Sequence, residues 1–169
     1  MIQRPQPDEY VSYYHTYIGK VPDGDVIALM EKLKGSTYQL FSSMSDEKAN
    51  HAYGEGKWTL KQVLGHMIDT ERTFAYRLLC FSRNYIELPG FDQDIYVNNA
   101  NFNNRTIQSL AEEFRATRES SIYMISALTD EQLERKGVAS GNEVSVRALV
   151  YMLPGHELHH LKLIKERYL

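Results

Sequence analysis

This sequence predicts an all-α fold, a four-helix bundle with one long crossover, and three observations carry the prediction. Four separate stretches place apolar residues at alternating steps of three and four, the seam of a helix packed at a shallow angle on other helices. Strand-type alternation is absent apart from a weak stretch, "YIELPGF". One connection, between the second and third stretches, is far longer than the others, and long connections of this kind are often functional.

The N-terminal segment comes first. In "PDEYVSYYHTYIG" Tyr10, Tyr13, Tyr14 and Tyr17 fall at helical spacing, and Gly19 ends the pattern. "VPDGD" is turn chemistry, and Asp25 is placed to cap the next helix. That first long helix carries Val26, Met30, Leu33, Thr37, Leu40 and Met44. The second opens on Thr59 and Gln62, spaced as a capping box, and runs through "LKQVLGHMIDTERTFAYRLLCFSRN". The third carries Ile107, Leu110, Phe114, Thr117, Ser121, Met124 and Leu128, and the fourth Val146, Leu149, Leu153, His156, His160 and Leu163. Residues 84–105, without helical period, join the second helix to the third. At roughly 3.3 Å per residue that segment is long enough to span a helix of about 36 Å. The second and third helices can therefore run parallel, with this segment as the crossover. "TDEQLERKG" reads as a short extra helix, with Thr129 and Gln132 as its capping box.

The chain has 169 residues, 43% apolar and 24% charged, which suits one domain, residues 1–169, around a single core. A net charge of −3 without a basic run argues against a general nucleic-acid binder, which needs a cationic stripe for phosphates. No run of about 18 apolar residues occurs, so no membrane span is expected. "MIQRPQPDEY" lacks the apolar run of a signal peptide, and the lone cysteine, Cys80, can close no disulfide within the chain. A reducing cytoplasm is the compartment expected. The tyrosine-rich N-terminal segment is expected to pack across the bundle, with an exposed part available to a homodimer.

The chemistry concentrates in "GHELHHLKLIKERYL". His156 and His160 lie about 40° apart on one helix face, in consecutive seam positions where Leu or Ile would be expected. A buried imidazole must satisfy two ring nitrogens. Either the two sit at a partly solvated helix end, or they share a divalent metal, as imidazoles at i and i+4 can. His159 falls to one side. Pro154 removes a backbone donor, so the helix either kinks there or begins anew there. A third ligand is expected from the second helix. There Gln62, His66, Asp69, Thr70, Thr73 and Arg77 form a polar stripe, read either as a solvated face or as the wall of a wet cavity. The usual solvent residues Lys61, Glu71 and Arg72 lie on its other sides. His66, His156 and His160 together offer three nitrogen ligands from two helices, which leave a tetrahedral ion one open position. Cys80 lies about 21 Å along the helix from His66, too far to join them. His15 and His51 read as surface residues, and Trp58 as a packing anchor.

The chain resembles the DinB-like superfamily of four-helix-bundle proteins, especially its YfiT-like (DinB_2) branch. The resemblance rests on "RPQPDEY" with its tyrosines, "KWTLKQVLGHMIDTERTFAYR", "LPGFDQDIYV" and "HELHHLKLIKERYL", and covers nearly the whole length. It implies an up-down-down-up bundle with a long connection between helices two and three. It also implies a metal, zinc or nickel, on one histidine of helix two and two of helix four, here His66, His156 and His160. Activities in the superfamily include reactions dependent on low-molecular-weight thiols such as bacillithiol, and many members carry only the name metal-dependent hydrolase.

The expectation is then a metal-dependent hydrolase or thiol S-transferase acting on a small electrophilic molecule. The alternative is a non-enzymatic stress-response or scaffold protein with a structural or vestigial metal. Asp69 either orients His66 or acts as a base, or else faces solvent. Arg77 either binds a carboxylate of the thiol or pairs with Asp92 or Asp94. Thr73 on the polar stripe and Tyr96 on the long connection are the other substrate-binding candidates, Tyr96 set against ordinary loop packing.

Overall fold

The computed structural model describes residues 1–169. In chain order its helices are α1 (His15–Ile18), α2 (Val26–Ser42), α3 (Asp46–Ala49), α4 (Leu60–Ser82), α5 (Gln93–Asn99), α6 (Ile107–Ser126), α7 (Asp130–Glu134) and α8 (Val146–Arg167). Three short strands complete the chain: β1 (Glu87–Leu88), β2 (Lys136–Ala139) and β3 (Asn142–Ser145). Each long helix starts where a short polar side chain accepts from a free backbone N–H: Asp25 from Ile27, Thr59 from Gln62, Thr106 from Ser109 and Ser145 from Ala148. The two capping boxes, at Thr59 and Thr129, form as the spacing predicts.

The four long helices form a ring in the order α2, α6, α4, α8, so α2 lies diagonally from α4 and α6 from α8, while α4 and α6 are neighbours. Lys34 meets Glu119 and Tyr38 meets Glu112, so α2 and α6 are antiparallel. The entrance to α4 lies beside the turn that leads into α6, Thr59 bonding Asn103, and Glu71 further along reaches Arg118; these two run parallel. Tyr168 donates to the carbonyl of Trp58, and Phe74 packs on His156, so α4 and α8 are antiparallel. The result is the up-down-down-up bundle, with residues 84–105 as the crossover.

That crossover is more ordered than its sequence implies. It holds β1, α5 and a 3-10 turn at Phe102–Asn104, anchored by buried Val97 and Phe102. The hairpin of β2 and β3 is also unexpected. Its turn residues Ser140 and Gly141 both take positive φ, 55° and 75°, as a two-residue hairpin requires. β1 joins β2 in parallel, which ties the crossover to the hairpin. At the N-terminus the tyrosine pattern is not one helix. It breaks into 3-10 turns at Pro7–Glu9 and Ser12–Tyr14 before α1, which packs across α8.

The seams need three corrections. In α2 the fully buried residue is Phe41 rather than Leu40. In α6 the buried stripe runs through Arg118, Ile122 and Ile125, while Thr117, Met124 and Leu128 are only half-buried. The stripe therefore lies about one residue round the helix from the predicted one, because Arg118 points inward. α8 runs without interruption through Pro154, so no new helix starts there. The core divides into two apolar clusters, one around Met30, Phe81 and Leu149 and the other around Phe41, Leu64 and Phe114. Between them each helix gives a polar residue to one buried layer: Thr37, Glu71, Arg118 and Glu157. No helix is long and apolar enough to cross a membrane.

Candidate metal centre

His66 lies in the first third of α4, and His156 and His160 lie one turn apart on α8. The antiparallel crossing brings their Nε2 atoms into a triangle with all three edges 3.1 Å. Close packing makes this possible. Phe102 lies flat over Gly65, where a Cβ would come within 2.5 Å of its ring, and the backbone of Tyr17 sits over Gly155 as closely. α4 and α8 therefore receive their neighbours at the residue just before a histidine.

His66 and His156 are buried and His160 is slightly more open. Burial pushes the His66 pKa down to about 4. Burial, and then the neighbouring imidazoles, hold His156 and His160 well below the usual histidine range. All three are thus neutral at neutral pH, the form that ligates metal. The triangle cannot satisfy itself. A neutral ring nitrogen either donates or accepts, so among three in mutual contact at least one pair meets donor to donor or lone pair to lone pair. A cation facing three lone pairs removes that conflict. Nitrogens at about 2.0–2.1 Å from a tetrahedral zinc stand roughly 3.3 Å apart, so the observed spacing fits a divalent ion. The outer nitrogen of His66 faces the Thr70 hydroxyl at 3.4 Å, while that of His160 is buried without a partner.

Aromatic rings enclose the cluster. Tyr17 stands edge-on to His156 at 5.4 Å between centroids, and Trp58 lies 4.9 Å from His66. A cavity of about 310 Å³ opens on His66 and His156 and is walled by Tyr17, Phe74, Arg77 and Phe91. A second, of about 230 Å³, reaches His160 past Trp58 and Tyr168. Trp58 is therefore more than a packing anchor. Tyr17 and the hairpin residue Ser140 are neighbours that sequence reasoning did not place at the site, and Thr70 was on the polar stripe without a role. Tyr17 carries no signal beyond helical spacing, because only the contact at Gly155 brings it there.

The other candidates divide. Arg77 is buried, lines the larger cavity, and pairs with neither Asp92 nor Asp94; Asp92 caps α5 instead. Asp69 makes no contact with the histidines. Its carboxylate lies 4.0 Å from Arg72, and burial raises its pKa. The Thr73 hydroxyl donates to the Asp69 carbonyl at 2.9 Å. Tyr96 lies on α5, tilted against Phe91, with its ring half in solvent and outside the cavity. Two of the supposed solvent residues on α4 are buried: Lys61 pairs with Asp46 at 2.9 Å, and Glu71 grips Arg118 with two bonds of 2.7 Å. His15 and His51 are exposed, as expected.

A crossed-over helical bundle with an inward histidine triad defines a class of protein, one whose long helices bring three imidazole nitrogens together beside a cavity. The chain belongs to the DinB superfamily, whose family model matches residues 29–164. A protein of Oceanobacillus iheyensis provisionally named a metal-dependent hydrolase is 28% identical over 151 residues, 86% of this chain and 87% of that one. The solved structure of YfiT from Bacillus subtilis, described as a probable metal-dependent hydrolase with an unusual four-helix bundle topology, superposes with a TM-score of 0.74. It covers 98% of this chain and 92% of its own at 19% identity, a likeness of fold.

Proposed function

We propose that this protein is a metal-dependent enzyme that acts on a small electrophilic molecule, as a hydrolase or as a thiol S-transferase. His66, His156 and His160 hold the ion, zinc or nickel. The single observation behind this reading is the triangle of buried, neutral Nε2 atoms opening on a cavity. The provisional name of the Oceanobacillus relative agrees with it. Bound there, a divalent ion supplies Lewis acidity, which acidifies a water or a thiol and polarises a substrate oxygen.

The chain's own residues do the rest. The three rings stay unprotonated at neutral pH because burial opposes their charge. Thr70 orients His66 through its outer nitrogen. Tyr17 and Trp58 cover the rings and limit water. Three protein ligands leave room for a reactant, whereas a purely structural site is usually closed by four. The chain offers no thiol of its own here, since Cys80 is not among the residues around the triad. In this reading the nucleophile is a water or an added thiol such as bacillithiol.

Elemental analysis of the purified protein tests the site, with one ion per chain expected and none in His156→Ala. Stoichiometric metal in that variant defeats the assignment. Cobalt substitution then separates the two chemistries. A thiol that shifts the visible spectrum supports S-transfer, and an unchanged spectrum leaves hydrolysis.

A further inference from the structure

Two arginines lie inside this molecule, and only one has a counter-charge. Arg118 is held by Glu71 and Glu157. Arg77, only 3% exposed, makes no ion pair. Its Nη2 donates to Ser140 Oγ at 3.0 Å and more weakly to the Pro89 carbonyl at 3.4 Å, and its Nε and Nη1 find no acceptor. A guanidinium keeps its proton inside a protein, so this charge has no counter-ion in the chain, and its free donors are left to the cavity it lines. The surroundings are aromatic: its central carbon lies 5.8 Å from the ring centroids of both Phe74 and Phe91. The Phe74 ring is in turn 6.0 Å from that of His156, so the arginine lies within about 12 Å of that imidazole on the wall of the same cavity, a span that a small organic molecule covers. Ser140 takes φ 55° at the hairpin turn, a conformation unfavourable for a residue with a side chain, and sets its hydroxyl against Arg77.

We propose that Arg77, steadied by Ser140, binds the carboxylate or phosphate of a small organic anion whose other end reaches His66, His156 and His160. The planar fork of a guanidinium matches either group, and the free donors face the cavity. Tyr17, Phe74 and Phe91 suit an apolar or aromatic spacer between the two ends. This deepens the reading of the triad as a reactive centre and depends on it only for the fate of the far end.

Calorimetric titration with phenylacetate, phenyl phosphate and uncharged phenylacetamide tests the proposal, on the protein as purified and again after chelation. One anion should bind about tenfold or more tightly than the amide, and the tighter of the two tells a carboxylate site from a phosphate site. Arg77→Met should abolish the preference and Arg77→Lys keep part of it. Equal affinity for anion and amide, no binding, or a preference that survives in Arg77→Met overturns the proposal. The chelated arm makes the outcome independent of whether the histidines carry an ion. Thermal melting guards against a purely structural role. Removing an uncompensated charge should leave Arg77→Met at or above the wild-type midpoint. A fall like that of Arg118→Met would show that Arg77 merely ties the crossover to the hairpin.

Discussion

At the scale of single residues, the charged layer sets the strongest constraint. Arg118 donates to both oxygens of Glu71 and to Glu157, and Thr37 donates to the other oxygen of Glu157 at 2.5 Å. Burial, and less strongly the neighbouring Glu71, raise the Glu157 pKa, and Arg118 and Thr37 oppose that rise. Arg118→Met would strand two buried carboxyl groups and should cost about 3–5 kcal/mol in chemical denaturation, far more than a surface substitution. Glu9 offers a test in pH. Burial pushes its pKa up, but bonds from Arg147, the Gln6 backbone and Ser145 outweigh that and bring it below the usual value. A folded-state pKa below the unfolded one gives stability that is present above the unfolded value and lost as pH falls through the folded one. Glu9→Gln should therefore lower stability at pH 7 by roughly 1–2 kcal/mol. It should also lessen the loss on acidification below about pH 4.3, read from denaturation midpoints across pH.

Among the elements, α8 carries the most function and the oddest sequence. Pro154 gives up one backbone bond and Gly155 one side chain, yet the helix runs on, because it is buried from Val146 to Glu157. Close contact explains Gly155: a Cβ there would sit 2.4 Å from the Tyr17 carbonyl oxygen. Gly155→Ala must push α1 away and should cost about 1–3 kcal/mol in thermal melts. The three histidines remain in that variant, so under the proposed site metal stoichiometry should be unchanged. Loss of the metal as well would mean that α1 positions His156 and His160. The small sheet has a comparable role. By pairing β1 with β2 it fixes the crossover and sets Ser140 beside Arg77.

Over the whole molecule, the proposed metal site would link metal to fold. An ion that binds only the folded protein stabilises it by about 4 kcal/mol when its free concentration is a thousand times Kd. Chelation should then lower the melting midpoint on the order of 10 °C, and added zinc should restore it. His156→Ala should melt at one temperature with and without the ion. A wild-type midpoint indifferent to chelator would remove the metal from the account of this fold.

The four helices, the caps at Asp25 and Thr59, the parallel crossover and the three histidines are all legible in the order of residues. Each of these is local or periodic: a cap lies within three residues of its partner, and His156 and His160 share a face through helical pitch alone. Which polar residues turn inward is a matter of packing in three dimensions. Glu71 and Lys61 read as solvent residues, and Arg118 carries no signal, because their burial depends on partners that periodicity cannot supply. Arg118 finds its acids 47 and 39 positions away. Asp69 and Thr73 share the histidine stripe on a helical wheel, yet a few tens of degrees of rotation turn one toward Arg72 and the other onto its own backbone. The physical reason is one of range. Backbone preference acts over a turn, whereas the cost of burying a charge is set by whatever distant residue the packing brings to it.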